Sequence, residues 1–225
     1  MTTRPEIHIN AGRHWLILGQ TGAGKTYWAQ NWFLPRFKRQ VVLDTEELEF
    51  DNRIWHPVSV KTAIRLAHAN KPFRVRIPMD VGEAGMAQYD ELADGLLAKG
   101  HDMVLYVDEY ADFTENSRQG PAGLRLSGKA RKRNIILAKA TQRPQEIDKK
   151  TYTQSLHHVW FGLDPADVGY WHDRAPYLVL LAPQFPIGSF RWVYHHAKDA
   201  PQGRLFEPVE EYHWRTNGRK AAPRI

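Results

Sequence analysis

An α/β fold with a mostly parallel central sheet is what this sequence predicts, on three observations. Strand-like and helix-like segments alternate along the chain, the pattern that builds parallel sheets through helical crossovers. An apolar run at His14–Leu18 leads into Gly19-Gln20-Thr21-Gly22-Ala23-Gly24-Lys25-Thr26 and then into helical spacing, a strand–loop–helix unit. A second apolar run, Met103–Val107, suits a strand covered on both faces and ends in two acids, Asp108 and Glu109.

The elements follow in order. Tyr27–Leu34 reads as the helix after the glycine-rich loop, and Gln40–Leu43 as a second strand ending at Asp44. Ala63, Ile64 and Ala67 give Val60–Ala69 helical spacing. Phe73, Val75 and Ile77 alternate with Arg74 and Arg76 in a third strand that Pro78 ends. Ala84–Lys99 reads as a helix stopped by Gly100. Asn134–Ala140, Val159–Leu163, Tyr177–Ala182 and Phe190–Tyr194 are read as further strands. From Ala197 on, Pro201, Pro208, Gly218 and Pro223 break any core pattern. The expected division is a domain over 1–196 and a C-terminal arm or tail over 197–225.

Gly19–Thr26 has the form of a phosphate-binding loop, a Walker A motif. Its glycines adopt backbone conformations closed to residues with a Cβ, so successive N–H groups can curl around phosphate oxygens. The new helix adds its positive end. Gly19, Gln20, Thr21, Gly22, Ala23, Gly24, Lys25 and Thr26 are therefore the expected nucleotide-binding residues. Lys25 brings a point charge to the β/γ-phosphates, and the Thr26 hydroxyl can ligate Mg²⁺.

Met103–Glu109 has the form of a Walker B motif. An acid at the carboxyl end of a parallel strand lies beside the phosphate loop in such sheets. Asp108 is the expected Mg²⁺ partner, and Glu109 the group that polarises the attacking water. Two strands lie between the motifs, an interval that suits ATPases with a further strand between the phosphate-loop strand and the Walker B strand. Kinases of small substrates more often have the two motif strands adjacent. Further on, Ala140-Thr141-Gln142-Arg143-Pro144 closes another apolar strand; Gln142 suits an amide that orients water or reports phosphate. The basic segment Ser127–Arg133 has three readings: a solvated surface, a DNA-phosphate contact, or the source of an arginine finger for a neighbouring subunit. Arg131 and Arg133 are the finger candidates, ahead of Arg125 and Arg118.

With these residues in view, the chain resembles the FtsK–HerA superfamily of DNA-pumping ATPases. The resemblance rests on Gly19–Thr26, Val104–Glu109 and Gly128–Pro144, and covers roughly Trp15 to Leu163. It implies a RecA-like P-loop NTPase fold, ATP and Mg²⁺ as ligands, and a homo-oligomeric ring, hexamer or pentamer, around double-stranded DNA. By position it assigns nucleotide and metal binding to Lys25 and Thr26 and the acid pair to Asp108 and Glu109. Phosphate sensing falls on Gln142, and the finger on Arg131 or Arg133. The short chain is most similar to the genome-packaging ATPases of membrane-containing icosahedral viruses, which implies capsid or portal-vertex partners. Loops at Gly82–Tyr89 and Asp112–Leu124 are candidates for gripping DNA. Competing readings are a filamentous-phage-type export ATPase, a small-molecule kinase, and a nucleotide-gated DNA-binding protein without motor activity.

Composition agrees with one globular domain of 225 residues, and the net charge of +6 points to an anionic partner. There are no cysteines, so disulfides and thiolate metal sites are excluded. Met1–Glu6 lacks the apolar core of a signal peptide and no run is long enough to span a membrane, so a cytoplasmic location in a host cell is expected. Trp28 and Trp32, four apart on one helix face, are read as packing residues. His157-His158 and His195-His196 point to opposite strand faces and suit one metal poorly. Asp44, Glu46, Glu47 and Glu49 are read as a solvated acidic loop.

Overall fold

The computed structural model describes residues 7, 13–45, 50–115, 118–147, 149–198, 203–210, 215–216 and 219–220. Its strands are β1 (His14–Leu18), β2 (Arg39–Asp44), β3 (His56–Pro57), β4 (Phe73–Pro78) and β5 (Met103–Val107), then β6 (Thr114–Glu115) and β7 (Arg118–Gln119), which pair only with each other. They continue with β8 (Ile135–Thr141), β9 (Ser155–Trp160), β10 (Trp192–His196) and β11 (Arg204–Phe206), and end with β12 (Arg215–Thr216) and β13 (Arg219–Lys220), which pair with each other. One nine-stranded sheet has the order β11-β10-β9-β1-β8-β5-β2-β4-β3. From β9 to β3 every pair is parallel, and β10 and β11 add an antiparallel edge. This is the expected α/β class, and β8 does lie between β1 and β5.

The alternation of side chains along each strand sorts the central strands between two cores. Leu16 and Leu18 of β1, with Met103, Leu105 and Val107 of β5, face one layer; Trp15 and Ile17, with Val104 and Tyr106, face the other. The first layer is covered by α2 (Val60–His68), α3 (Gly82–Lys99), α4 (Pro121–Lys129), α6 (Pro165–Trp171) and α7 (Tyr177–Leu181); α5 (Lys149–Gln154) leads into β9. Helix α2 starts at Ser59, whose Oγ accepts from the Thr62 amide at 3.3 Å, and it buries Val60, Ala63 and Ala67 at helical spacing. Helix α6 starts at Asp164, whose carboxylate accepts from the Ala166 amide at 2.8 Å.

The second layer is built by α1 (Lys25–Trp28) and its continuation through a π turn at Ala29–Phe33 and a 3₁₀ turn at Leu34–Arg36. The widened turn lets Trp28, Trp32 and Phe33 all face the sheet, where they are buried. Trp28 and Trp32 stack at 5.0 Å, and both lie against Trp192 and Trp15. Packing, not base stacking, is their use.

Five expectations need correction. Gly82–Tyr89, a candidate DNA-gripping loop, forms the first turns of helix α3. Tyr177–Ala182 is helix α7 and a 3₁₀ turn, not a strand; a short apolar run has no period of its own, and here Tyr177 and Leu178 are buried while Val179 and Leu180 face outward. The strand expected at Val159–Leu163 is Ser155–Trp160, because Phe161–Leu163 leaves the sheet to pack on the phosphate loop, with the Gly162 carbonyl accepting from the Gln20 amide at 2.9 Å. The strand expected from Phe190 begins at Trp192, because Phe190 has φ 54, outside the extended region. Asp44 is not solvated: it is fully buried and pairs with Arg76 at 3.2 Å. Glu46, Glu47 and Glu49 lie outside the described residues. Strand β11, within the segment read as an arm, pairs with β10 through Trp192↔Phe206.

Three buried histidines sit on the central strands. Burial, followed by the charge of Lys139, lowers the pKa of His14 to about 4; burial and the neighbouring histidines His196 and His158 lower that of His157 to about 3. Burial likewise lowers His158 to about 4. Each folded value lies below the unfolded one, near 6.5, so between them the unfolded chain binds more protons and stability rises with pH. The thermal midpoint is therefore expected to be flat above about pH 7 and to fall steadily from about pH 6.5 toward pH 4. A midpoint unchanged down to pH 5 would mean these imidazoles are hydrated.

Candidate nucleotide site

Because β1, β8, β5 and β2 run parallel and side by side, their carboxyl ends open on one edge of the sheet. Leu18 is level with Thr141, and Val107 with Lys139 and Leu43. A cavity of about 220 Å³ lies there, lined by Thr21, Gly22, Gly24, Lys25, Thr26, Tyr27, Thr45, Asp108, Glu109, Gln142 and Phe190. The structure thus brings together residues from four separate strand ends. Most of the expected site residues line this cavity.

The loop has the backbone its glycines allow. Gly19, Gly22 and Gly24 have φ of 155, 73 and 98. A Cβ on Gly24 would stand 2.8 Å from Cδ1 of Phe190, and one on Gly19 would stand 2.7 Å from Cβ of Phe161. Lys25 starts α1, and its Nζ donates to the carbonyls of Gly19 at 2.9 Å and Gln20 at 3.1 Å. The ammonium is therefore held over the loop. Ala23 is buried and Thr26 half-buried. Gln20 does not face the cavity: its Nε2 donates to Asp167 Oδ2 at 2.7 Å, while Gln145 Nε2 donates to Asp167 Oδ1 at 2.9 Å. Buried Asp167 thereby ties the phosphate loop to the segment after Gln142.

The acids follow β5. Asp108 accepts from the Tyr106 hydroxyl at 3.3 Å. Glu109 takes a left-handed backbone, φ 44, an uncommon conformation for a residue with a side chain and one that collects at functional sites. That turn sends its carboxylate sideways to β8. Oε1 accepts from the Thr141 hydroxyl at 2.5 Å, and Oε2 from the Gln142 amide at 2.9 Å. Burial raises the Glu109 pKa; the two hydrogen bonds and the charge of Lys25 oppose that rise, and Asp112 adds to it. The Gln142 side chain reaches Thr21 of the loop through a hydrogen bond to its hydroxyl. Glu109, Gln142 and Thr21 therefore form one connected circuit. Thr26 and Asp108 supply hard oxygen donors to the same cavity, a donor set suited to Mg²⁺. Among the described residues no group of three or more His, Cys, Asp or Glu forms a protein-only metal cage.

Arg131 and Arg133 stand elsewhere. Both lie in a 3₁₀ turn at Ala130–Arg133, immediately before β8, so seven residues of strand, about 20 Å, separate them from Gln142. Arg131 is exposed and Arg133 half-buried; neither lines this chain's own cavity. Arg125 is exposed and paired with Asp94. Arg143 is at the rim, with Asp112 at 3.5 Å and Glu146 at 3.4 Å. Sequence reasoning passed over Thr141, Asp167, Thr45, Tyr27 and Phe190. Thr141 lies within the run Ala140-Thr141-Gln142-Arg143-Pro144; Asp167 and Phe190 carry no local signal.

Comparison with known proteins places the fold. The genome-packaging NTPase B204 from Sulfolobus turreted icosahedral virus 2, in complex with sulfate, superposes with a TM-score of 0.73 at 14% identity, over 91% of this chain and 100% of that one. The same protein has also been solved with ATP-gammaS (TM-score 0.69, 14% identity, 90% and 100% coverage). VirB4 of Thermoanaerobacter pseudethanolicus gives a TM-score of 0.59 at 11% identity, over 88% and 89%. In sequence, Protein P9 of Pseudoalteromonas phage PM2 is 29% identical over 169 residues, 74% of this chain and 75% of that protein. No protein-family model matches the chain. These neighbours bear out, at the level of fold, the resemblance read from the motifs. Among the described residues no helix is long and apolar enough to cross a membrane.

The loop glycines offer a test of this geometry. Gly22 and Gly24 both have positive φ, but a Cβ on Gly22 meets nothing within 4 Å. Gly22→Ala is expected to cost about 1–2 kcal/mol from backbone strain alone, and Gly24→Ala measurably more. In a Phe190→Ala background the part of the excess due to the ring contact should be lost, so the gap narrows, as thermal unfolding of the four variants would report. Equal costs in the wild-type background would mean that the Phe190 ring does not lie on Gly24.

Proposed function

We propose that this chain is an ATPase of the genome-packaging kind, a ring-forming motor that couples ATP hydrolysis to movement of double-stranded DNA into a viral capsid. The observation that carries the enzymatic part is the Glu109 carboxylate, fixed by Thr141 and Gln142 in the cavity that the phosphate loop lines. Binding needs only the loop; an oriented carboxylate beside it adds a group that can activate water.

In this reading the loop amides and the helix end bind the phosphates, and Lys25 moves from the Gly19 and Gln20 carbonyls onto the β/γ-phosphates. Thr26 and Asp108 would hold Mg²⁺, which on binding neutralises phosphate charge. Each Glu109 oxygen has one lone pair engaged and another available, so the carboxylate can accept from a water without giving up its present partners. Burial, by raising the Glu109 pKa, makes it a better proton acceptor than a solvated carboxylate. Gln142, bonded to Glu109 through its amide and to Thr21 through its side chain, would sense loss of the γ-phosphate.

The position of β8 between β1 and β5 supports an ATPase over a small-molecule kinase. Support for packaging comes from likeness to B204, described as a genome-packaging NTPase, and from similarity to a phage protein. Arg131 or Arg133 would act in trans, residues 1–196 forming the ATPase domain and 197–225 an arm that contributes β11. Capsid or portal-vertex proteins would be its further partners, and the host cytoplasm the place of work.

Lys25→Ala is expected to abolish nucleotide binding or turnover. Glu109→Gln should keep ATP bound while lowering kcat by roughly 10²-fold or more; single-turnover hydrolysis separates the two effects, and rapid cleavage by that variant would assign the base elsewhere. The motor part is checked by the ATPase rate with and without long double-stranded DNA, with electron microscopy of the assembled particle. Stimulation together with rings is expected. A DNA-indifferent monomer would end the translocation reading.

A further inference from the structure

The cavity is chemically two-ended. Lys25, Thr26, Asp108 and Glu109 form a charged, largely buried end, whereas Phe190 and Tyr27 bring aromatic rings that are 49% and 46% exposed. We propose that these two rings, Phe190 above all, are the platform for the nucleobase. The inference rests on the nucleotide-binding reading of the phosphate loop and extends it to the other half of the ligand.

Phe190 is held in an unfavourable way for folding alone. Its φ is 54, a conformation that is strained for a residue with a bulky side chain. Half of the residue nevertheless remains exposed, although burying an aromatic ring is among the larger stabilising terms available to a chain. The surrounding segment is built to keep it there. Gly188, with φ 85, turns the chain two residues earlier. A Cβ on Gly162 would come within 2.5 Å of the Ile187 amide nitrogen, so the segment is pressed onto the exit of β9. The Phe190 ring itself lies over Gly24, at the start of α1. Tyr27 follows Thr26 directly on α1, one helical turn from Gly24. A ligand whose polyphosphate lies along Gly19–Thr26 would therefore carry its base toward these two rings.

An apolar ring reads no hydrogen-bond pattern. Stacking accepts every base because each has a π face, and Phe190 has neither donor nor acceptor. Stacking on Phe190 therefore opens the ligand class to nucleoside triphosphates at large, ATP and GTP gaining alike from that ring.

The test compares binding of ATP, GTP and inorganic tripolyphosphate, with Mg²⁺, by calorimetry. Wild-type protein, Phe190→Ala, Phe190→Trp, Tyr27→Ala and Lys25→Ala are used, each first checked for folding by thermal unfolding. Wild-type protein is expected to bind ATP and GTP at least about 10-fold tighter than tripolyphosphate. Phe190→Ala should lose about 10-fold for both nucleotides and nothing for tripolyphosphate, with Tyr27→Ala losing less and Phe190→Trp restoring the affinity. Equal affinity of wild-type protein for ATP and tripolyphosphate would overturn the platform while leaving the phosphate site standing. So would a Phe190→Ala loss shared by tripolyphosphate. Failure of wild-type protein to bind any of the three, or a Lys25→Ala protein that both binds and hydrolyses ATP undiminished, would overturn the nucleotide reading and the platform with it.

Discussion

A buried carboxylate has to be hydrogen-bonded, and in this molecule that requirement organises the site. Glu109 sits where removal from water raises the cost of its charge. Two donors from one neighbouring strand compensate: the Thr141 hydroxyl and the Gln142 amide. Both belong to the end of β8, so this strand must lie beside β5 and extend past it. The pairing of Val107 with Lys139 leaves Ala140, Thr141 and Gln142 projecting beyond the last β5 residue, at the level where Glu109 turns back. A strand order with β1 beside β5 would put Leu18 and the loop there instead, and no residue of the Thr141 kind. Topology, the left-handed turn at Glu109 and the bonded acid are parts of one solution.

The same logic extends to the phosphate loop. It is gripped from both sides, by Gln142 through Thr21 and by Asp167 through Gln20. Asp167 also accepts from Gln145, three residues beyond Gln142. A displacement of the Gln142 segment is therefore felt at two points of the loop, without any long wire of side chains. The elements next to these partners, β8 and α6, contribute residues to the cores on the sheet, so the loop is tied to packed structure.

How much of this was legible beforehand follows from where each signal lies in the chain. The loop and the acid pair are local patterns whose residue types are dictated by chemistry: glycines for the backbone, a lysine for phosphate, acids at a strand end. The intervening strand was visible because β8 is apolar and ends in Ala-Thr-Gln-Arg-Pro. Asp167 meets Gln20 across 147 residues, and Phe190 meets Gly24 across a comparable span. No short window contains either pair, and an Asp in a short helix or a Phe in a loop is an ordinary residue in an ordinary place. Tyr177–Ala182 went astray for the opposite reason. Its composition is strand-like, but helix burial on one face is decided by what lies beneath it. Asp44 was misjudged with its acidic neighbours because Arg76, its partner, lies on the adjacent strand β4.

The position of the basic segment bears on the proposed ring. Around the cavity the positive charge comes from Lys25 and the loop amides, while Asp108 and Glu109 oppose it. A phosphoryl-transfer transition state gains from a further cation at the γ-phosphate. Arg143 is near in sequence, yet its guanidinium is shared by Asp112 and Glu146 at the rim. Arg131 and Arg133 are at the far end of β8, a strand length away, and no rotamer crosses that distance, because an extended arginine reaches only about 7 Å. Within one chain these arginines cannot serve the site. In the proposed closed ring of head-to-tail copies the amino-end edge of one sheet could face the carboxyl-end edge of the next, which would carry these arginines toward a neighbour's site. Under the proposed function, hydrolysis would then depend on assembly for a purely spatial reason, since one copy holds the carboxylate and another supplies the charge.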